Sequence, residues 1–196
     1  MSTRLRSTPL EQDVARILDT VRPVAAPRPA LVVLVGLPGS GKTHLARELS
    51  RRSGAAVLES DAIRRMLFRE RRYSRWEHRR VFAAIHGAID ALLAAKALVI
   101  DDATNLAERE RTPLYVMAER HGAALFVIHV VAADDVTHER LVQRTSGEAS
   151  NSEAGLSTYE RMRRRIEPIS RPHRVINTAE DIGPALDALT KEILES

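Results

Sequence analysis

Several residue types that mark whole classes of protein are absent or rare in this chain of 196 residues. Because there is no Cys, a disulfide framework and thiol chemistry are excluded, and a reducing compartment fits the composition. No apolar run approaches the roughly 20 residues of a membrane helix, and residues 1–6 lack the apolar stretch of a signal peptide. We therefore expect a soluble, cytoplasmic protein that does not enter a membrane, with one domain large enough to bury a core.

Lysine is also rare, because only three of the 30 basic residues are Lys and the other 27 are Arg. Eight of these Arg lie between Arg64 and Arg80, although the net charge of the chain is a mild +4. A guanidinium carries a fork of donors that suits phosphate, so a nucleic acid or another phosphorylated partner is one interpretation. The interpretation that we favour is a general bias towards Arg over Lys, with the Arg side chains on solvated helix faces.

The sequence also lacks the spacings of two familiar sites. Its seven His residues show neither HExxH spacing nor pairing with Cys, so a zinc site is not expected, and no Asn-Lys-x-Asp sequence supports guanine selectivity. The single Trp, Trp76, has Arg75 and Arg79 beside it and could stack on a base. We favour packing of Trp76 in the core or against a lid, because a Trp side chain buries a large area.

The most informative motif is a glycine-rich loop that follows the apolar run 31–35. The pattern GxxxxGK[ST] is formed by Gly36, Leu37, Pro38, Gly39, Ser40, Gly41, Lys42 and Thr43. Glycines let consecutive backbone N–H groups turn towards a polyphosphate, since a positive φ costs them little. Lys42 can reach the β- and γ-phosphates, the Thr43 hydroxyl can hold Mg²⁺, and the following helix N-terminus attracts the anion. The motif predicts a P-loop, beside which His44 could approach the nucleotide or face solvent.

Apolar runs alternate with helical patterns from residue 31 onward. Strands are predicted at residues 31–35, 56–59, 98–101, 125–131 and 173–176, and helices at 43–52, 61–70, 75–95, 108–122, 134–144, 158–166 and 183–194. This alternation predicts an α/β fold with a mainly parallel sheet, helices on both faces, and ligands at the carboxyl ends of the strands. Residues 1–30, a short helix capped by Thr8 and a Pro-rich linker, are interpreted as an appendage to a domain of residues 31–196.

Two further motifs follow predicted strands. Ser60 or Asp61 could cap the next helix, and Asp61 could also accept the proton of an attacking hydroxyl. Arg64, one turn further along, could clamp an anionic acceptor. Asp101 and Asp102 end a strand that we expect beside the P-loop strand, where a carboxylate holds Mg²⁺. Because side chains alternate along a strand, only one of these two Asp residues can face the metal.

Taken together, the P-loop, Ser-Asp-x-Ile-Arg at 60–64 and Asp-Ala-Thr-Asn at 102–105 resemble the polynucleotide-kinase-like branch of P-loop kinases, the AAA_33-type ATP-dependent kinases. The resemblance covers about residues 31–170 and implies a P-loop NTPase fold. That fold is a three-layer α/β/α sandwich with a five-stranded, mainly parallel sheet and a helical lid. The resemblance also implies that Lys42 and Thr43 bind ATP and Mg²⁺ and that Asp102 is the metal-binding carboxylate.

The same resemblance implies roles on the acceptor side and in a lid. Asp61 would be the general base, Arg64 would bind the acceptor, and residues 145–157 would be the lid, with Arg140 or Arg144 reaching the phosphates. Polynucleotide kinases carry a second lid Arg where this chain has Gly-Glu at 147–148. A nucleic-acid acceptor is therefore compatible with the sequence but is not the favoured one.

The sequence thus predicts a kinase that transfers the γ-phosphate of ATP to a hydroxyl group, on a small molecule or a 5′-terminal nucleotide. The alternative is an ATP-binding switch or accessory module with weak ATPase activity, which would dock through its N-terminal helix. Asp61 and Arg64 favour the enzyme, because a switch has no need for an acceptor base or an acceptor clamp.

Overall fold

The computed structural model of the chain describes residues 7–144 and 157–196, except for the side chain of Arg144. The strands are β1 (Ala30–Val35), β2 (Ala56–Glu59), β3 (Leu98–Asp102), β4 (Ala124–Val131) and β5 (Arg174–Asn177). The helices are α1 (Pro9–Leu18), α2 (Lys42–Ser53), α3 (Ser60–Leu67), α4 (Arg75–Ala94), α5 (Glu108–Arg120), α6 (Asp134–Arg144), α7 (157–163) and α8 (Gly183–Glu195). Every predicted element is present. The predicted lid at 145–157 lies outside the described residues, apart from Ser157, which belongs to α7.

The five strands form one sheet in the order β2-β3-β1-β4-β5, and all four neighbouring pairs are parallel. The prediction of a mainly parallel sheet is therefore confirmed. The central strand β1 lies between β3 and β4. After β1 the chain forms β2 and β3 on one side of this strand, and it then crosses to form β4 and β5 on the other side. In open parallel sheets a ligand crevice forms at such a switch point, outside the carboxyl ends of the strands. The P-loop follows β1 at that place.

Two apolar layers cover the two faces of the sheet. Along β1, Leu31 and Val33 belong to the core under α4 and α5, whereas Val32 and Leu34 belong to the core under α2 and α8. All six residues of β1 are buried, which is typical of a central strand in a parallel sheet. This alternation of side chains produces the three-layer α/β/α architecture. Among the described helices, none combines the length and the hydrophobicity of a membrane span.

Helix α1 packs closely on α4 and contributes to the core. Thr8 caps α1 as predicted, and Ile17 is fully buried in the cluster beneath α4. Asp13 accepts two hydrogen bonds from Arg80, at 2.6 and 2.9 Å. Residues 1–30 were expected to form an appendage, but the apolar face of α1 packs against α4. Where the domain boundary falls remains a prediction.

Candidate active site

A small cleft of about 90 Å³ opens at the carboxyl ends of β1, β2 and β3. One side is lined by the P-loop residues Pro38, Gly39, Gly41, Lys42 and Thr43. The other side is lined by Glu59, Ser60 and Asp61 after β2, and by Asp102, Ala103 and Thr104 after β3. The three sequence motifs, which lie up to about 60 residues apart, therefore meet in one place, as expected from the parallel sheet.

Two glycines give the P-loop its shape. Gly39 and Gly41 have φ values of +83° and +90°, in the left-handed region that side chains other than Gly adopt at a cost. A Cβ added at Gly41 would also lie 2.6 Å from the Oγ1 of Thr178. The loop is tied to the neighbouring strand as well, because the Gly36 N–H donates to the carbonyl of Thr104 at 3.0 Å.

Lys42 and Thr43 begin helix α2 directly after the loop. The Lys42 ammonium is largely buried and donates to the carbonyl of Leu37 at 2.8 Å, so it is held inside the loop. Thr43 and Asp102 both line the cleft, and the Thr43 hydroxyl acts to lower the pKa of Asp102. The cleft thus brings a cation, a hydroxyl, a carboxylate and a helix N-terminus together, which is a combination suited to a phosphate group with a divalent cation.

The two adjacent Asp residues of β3 point to different surroundings. Asp102 lines the cleft, and burial raises its pKa, while the Thr43 hydroxyl and the charge of Lys42 act in the opposite direction. Asp101 is not among the lining residues and accepts a hydrogen bond from the Asn105 Nδ2 at 2.7 Å. Burial raises the pKa of Asp101 to about 7. Of the two, only Asp102 faces the cleft.

The oxygen donors at this place fit a magnesium ion that is bound together with a nucleotide. In the described part of the chain, the Oδ2 of Asp102 is buried without a hydrogen-bond partner, which leaves it available to a cation. The described residues contain no group of three or more His, Asp or Glu that could hold a metal ion by themselves. Mg²⁺ commonly takes one or two carboxylates and completes its shell with water and phosphate oxygens. Asp102 and Thr43 would supply the protein's share.

The residues after β2 form the acceptor side of the cleft. Helix α3 begins after Glu59, and no side chain caps it, so the interpretation of Ser60 or Asp61 as a capping residue is wrong. Asp61 lies in the first turn of α3, exposed and lining the cleft. Sequence reasoning missed Glu59, which also lines the cleft and forms ion pairs with Arg47 at 3.2 Å and Arg65 at 3.4 Å. The sequence feature that could have identified Glu59 is its position at the carboxyl end of β2.

Arg64 lies one turn from Asp61 but is not among the residues that line the cleft. Its side chain is only 8% exposed, with Nη1 3.9 Å from the Oε2 of Glu77 and the guanidinium 5.1 Å from the ring centre of Tyr73. Within residues 7–144 and 157–196, its Nε and Nη1 have no hydrogen-bond partner. A buried cation with unused donors beside Asp61 retains the capacity to bind an anion.

Helices α2 and α6 carry the further residues that are predicted to approach the nucleotide, namely His44, Arg140 and Arg144. Arg140 donates to the Oγ1 and the carbonyl of Thr178, at 2.8 and 2.9 Å, and Thr178 donates to the carbonyl of Ser40 at 2.7 Å. These two residues therefore brace the P-loop. Thr178 was missed, although it follows the carboxyl end of β5. His44 is exposed and is not among the cleft residues, and the side chain of Arg144 lies outside the described residues.

A fully buried arginine supports the turn after β3. Arg111 is 0% exposed, and its Nη1 donates to the carbonyls of Asn105 and Leu106, at 2.8 and 2.9 Å. Its Nη2 donates to the carbonyl of Pro168 at 2.6 Å, between α7 and β5. Asn105 in turn donates from Nδ2 to the carbonyl of Leu34 at 2.8 Å. The turn that carries one wall of the cleft is therefore bonded both to the P-loop strand and to the segment after α7.

The fold and the cleft place the chain among the proteins with a P-loop NTPase fold. Residues 31–169 match the AAA_33 family, described as an AAA domain, and the chain belongs to that family. The match begins in β1 and ends before β5, so it includes all three motifs around the cleft. A comparison with curated proteins gave no match.

Solved structures that resemble this chain share its architecture. One is the APS kinase CysC of Mycobacterium tuberculosis in complex with AMPPNP and APS, at 18% identity and a TM-score of 0.65, covering 87% of this chain and 99% of that one. Another is Kti12 of Chaetomium thermophilum in complex with ADP-AlF3, at 23% identity and a TM-score of 0.61, covering 84% and 97%. A gluconokinase of Sinorhizobium meliloti 1021 has 20% identity and a TM-score of 0.54, covering 85% and 90%. At these identities the likeness establishes the P-loop NTPase fold alone.

Proposed function

We propose that the protein is an ATP-dependent kinase that transfers the γ-phosphate of ATP to a hydroxyl group of an acceptor. The observation that carries the proposal is that Asp61 lies on the same small cleft as the P-loop residues Lys42 and Thr43. A nucleotide switch needs the phosphate-binding side alone, whereas transfer also needs a base opposite the phosphate. Two of the similar structures hold AMPPNP and ADP-AlF3, which supports ATP as the donor.

The residues of the nucleotide side would bind and polarise the triphosphate. Backbone N–H groups of residues 36–43 and the Lys42 ammonium would contact the β- and γ-phosphates, with the N-terminus of α2 directed at them. Thr43 and Asp102 would hold Mg²⁺, which supplies neutralisation of the charge that develops on the phosphate oxygens. Arg140 and Arg144 would add positive charge from α6 and the lid side.

The residues of the acceptor side would direct the attack. Asp61 would take the proton from the acceptor hydroxyl while the oxygen of that hydroxyl forms a bond to the γ-phosphorus. The bond between the γ-phosphorus and the β–γ bridging oxygen breaks, and ADP leaves with the electron pair. Arg64, with its unused donors, would hold an anionic acceptor one turn away from Asp61. The acceptor would be a small molecule or a nucleotide that carries a free hydroxyl.

The test is a transfer screen with ATP labelled on its γ-phosphate. The acceptors are a sugar, a nucleoside, an aminoglycoside antibiotic and an oligonucleotide with a 5′-hydroxyl, and labelled product is measured after separation from ATP. Lys42→Ala should abolish turnover, whereas Asp61→Asn should keep ATP binding and lose about 100-fold or more of the transfer rate, as expected for a general base. Asp19→Asn, at an exposed carboxylate beyond the end of α1, is the matched control and should transfer normally.

Two outcomes would contradict the proposal. Full transfer by Asp61→Asn would show that Asp61 is not the base. Slow release of free phosphate at equal rates from the wild type and Asp61→Asn, with no acceptor labelled, would favour the ATP-binding switch instead.

A further inference from the structure

The positive charge of the chain is concentrated in one short stretch. Residues 61–80 contain eight Arg against three carboxylates, a net charge of +5, whereas the whole chain carries +4. All other residues together therefore carry a charge of −1. A general bias towards Arg would spread along the chain, so it does not account for this concentration. We call residues 64–80, which hold the eight Arg, the basic segment.

Much of this charge is not neutralised by the residues that the structure describes. Four Arg of the basic segment are exposed and form no ion pair with any described residue: Arg69, Arg71, Arg75 and Arg79. One of the nearby carboxylates, Glu77, is buried and accepts a hydrogen bond from the backbone N–H of Arg72 at 2.9 Å. Glu77 therefore offers little compensation to the exposed guanidinium groups. The basic segment therefore presents to solvent positive charge that no described carboxylate compensates.

Two large aromatic side chains lie exposed within the same segment. Trp76 is 57% exposed and Tyr73 is 67% exposed, so Trp76 does not pack in the core. The alternative expectation, packing of Trp76 against the lid, concerns residues that lie outside the described ones. Trp76 is held in place on one side, where the ring of Phe68 meets it edge-on at 5.6 Å and the guanidinium of Arg80 lies 5.6 Å from its centre. Arg80 is itself fixed by its two hydrogen bonds to Asp13 of α1. The remaining surface of the indole is open.

The indole also borders a groove of about 380 Å³ between α1 and the first turns of α4. Pro9 and Leu10 form one wall of this groove, and Trp76, Arg79 and Ala83 belong to the other. Arg75 and Arg79 are four residues apart on the helix and are therefore neighbours on its surface. An apolar ring, an adjoining groove and paired guanidinium groups thus occur together at one end of α4.

We propose that the basic segment binds single-stranded nucleic acid, with phosphates on the exposed Arg side chains and an unstacked base against Trp76. Proteins that bind single strands combine aromatic platforms with a positively charged track in this way. A double helix keeps its bases stacked and has none free for the indole. The charge of a phosphate backbone is complementary to the +5 of residues 61–80.

The basic segment begins next to the acceptor side of the cleft. Tyr73 contacts the guanidinium of Arg64, which lies one turn from Asp61. The binding surface therefore adjoins the proposed transfer site. It does not depend on that site, since no residue of the P-loop takes part in it.

The test measures binding of a fluorescein-labelled RNA of about 12 nucleotides by fluorescence anisotropy, a length within the range of single-strand sites. The titration is made without ATP, so a failure of the proposed kinase reaction does not affect it. Trp76→Ala should weaken binding by about five- to 100-fold, the range of one base–aromatic stack. Trp76→Phe, which keeps a stacking ring, should retain most of the affinity, and circular dichroism melts check that both variants fold.

The charges are tested with a matched pair of double variants. Arg75→Gln with Arg79→Gln should reduce the slope of log K against log salt concentration by about 1.4, because each of the two lost phosphate contacts removes about 0.7 on a single strand. Arg22→Gln with Arg28→Gln, at exposed positions in the linker after α1, removes the same charge and should leave the slope unchanged.

Three results would overturn the proposal. Equal affinity of Trp76→Ala and the wild type would show that the indole binds no base. Equally tight binding of heparin fragments or phosphatidylserine vesicles would identify a general polyanion or membrane surface. An unchanged salt slope in the Arg75 and Arg79 double variant would place the phosphates elsewhere.

Discussion

Arginine is used in opposite ways by the turn after β3 and by the basic segment. Arg111 is fully buried and donates six hydrogen bonds, to four carbonyls and to Glu108. Arg75 and Arg79 are exposed and form no ion pair with the described residues. The buried guanidinium stabilises one wall of the cleft, whereas the exposed ones leave their charge to a partner.

This difference follows from the cost of removing a charge from water. A buried cation is tolerated only where hydrogen bonds replace its hydration, and the planar fork of Arg can serve several carbonyls at once. On the surface, water already satisfies the guanidinium, so no internal partner is needed. Arginine therefore stabilises the fold at the turn after β3, whereas in the basic segment it is available to bind a partner.

The largest effect is expected at Arg111. Arg111→Met should destabilise the protein by about 3 kcal/mol or more, because it leaves several buried carbonyls without a donor and removes the partner of Glu108. Urea unfolding measures this change. Arg111→Lys should restore only part of the stability, since one ammonium cannot reach carbonyls on both sides of the turn. A change below about 0.5 kcal/mol, the size usual for surface positions, would show that Arg111 contributes no more to stability than an exposed arginine.

The second largest effect distinguishes Asp102, which lines the cleft, from Asp101, which does not. Asp102→Asn should lower Mg²⁺-dependent turnover of ATP by about 100-fold or more, because it weakens the proposed metal contact. Asp101→Asn should keep most of the turnover, since Asp101 does not line the cleft and an amide oxygen can accept the hydrogen bond from Asn105. Steady-state rates across a magnesium titration measure both. Equal losses in the two variants would show that the division between them is wrong.

Much of this architecture is predictable from the sequence. The alternation of apolar runs and helical patterns identifies the parallel sheet, and the P-loop motif locates the cleft at its edge. Alternation along β3 requires that only one of Asp101 and Asp102 faces the cleft, although it does not say which. The resemblance to AAA_33-type kinases implies Asp102, which is the one that lines the cleft.

Other features depend on contacts between distant parts of the chain. Arg111 is one Arg among 27, and its burial depends on carbonyls as far along the chain as Pro168. Thr178 braces the P-loop from beyond β5, about 140 residues after Ser40. The exposure of Trp76 depends on the position of α1, which supplies Asp13 to fix Arg80. No local pattern contains this information, because each contact joins segments that only the tertiary fold brings together.

The smallest expected effect concerns the stability of the basic segment itself. Arg75 and Arg79 are like charges four residues apart on a helix, which destabilises it by about 0.2 to 0.5 kcal/mol. Arg79→Gln should therefore leave stability unchanged or raise it by up to about 0.5 kcal/mol, most at low salt where screening is weak. Arg174→Gln, which removes an ion pair with Glu192, should instead lower stability by a similar amount.

Urea unfolding at low and high salt measures both variants under the same conditions. Opposite signs at low salt that converge at high salt would show that the basic segment retains its charge at a cost in stability. A loss of stability in Arg79→Gln that persists at high salt would mean that this side chain supports the fold. In that case the contrast with Arg111 would be one of degree, since both residues would then be structural.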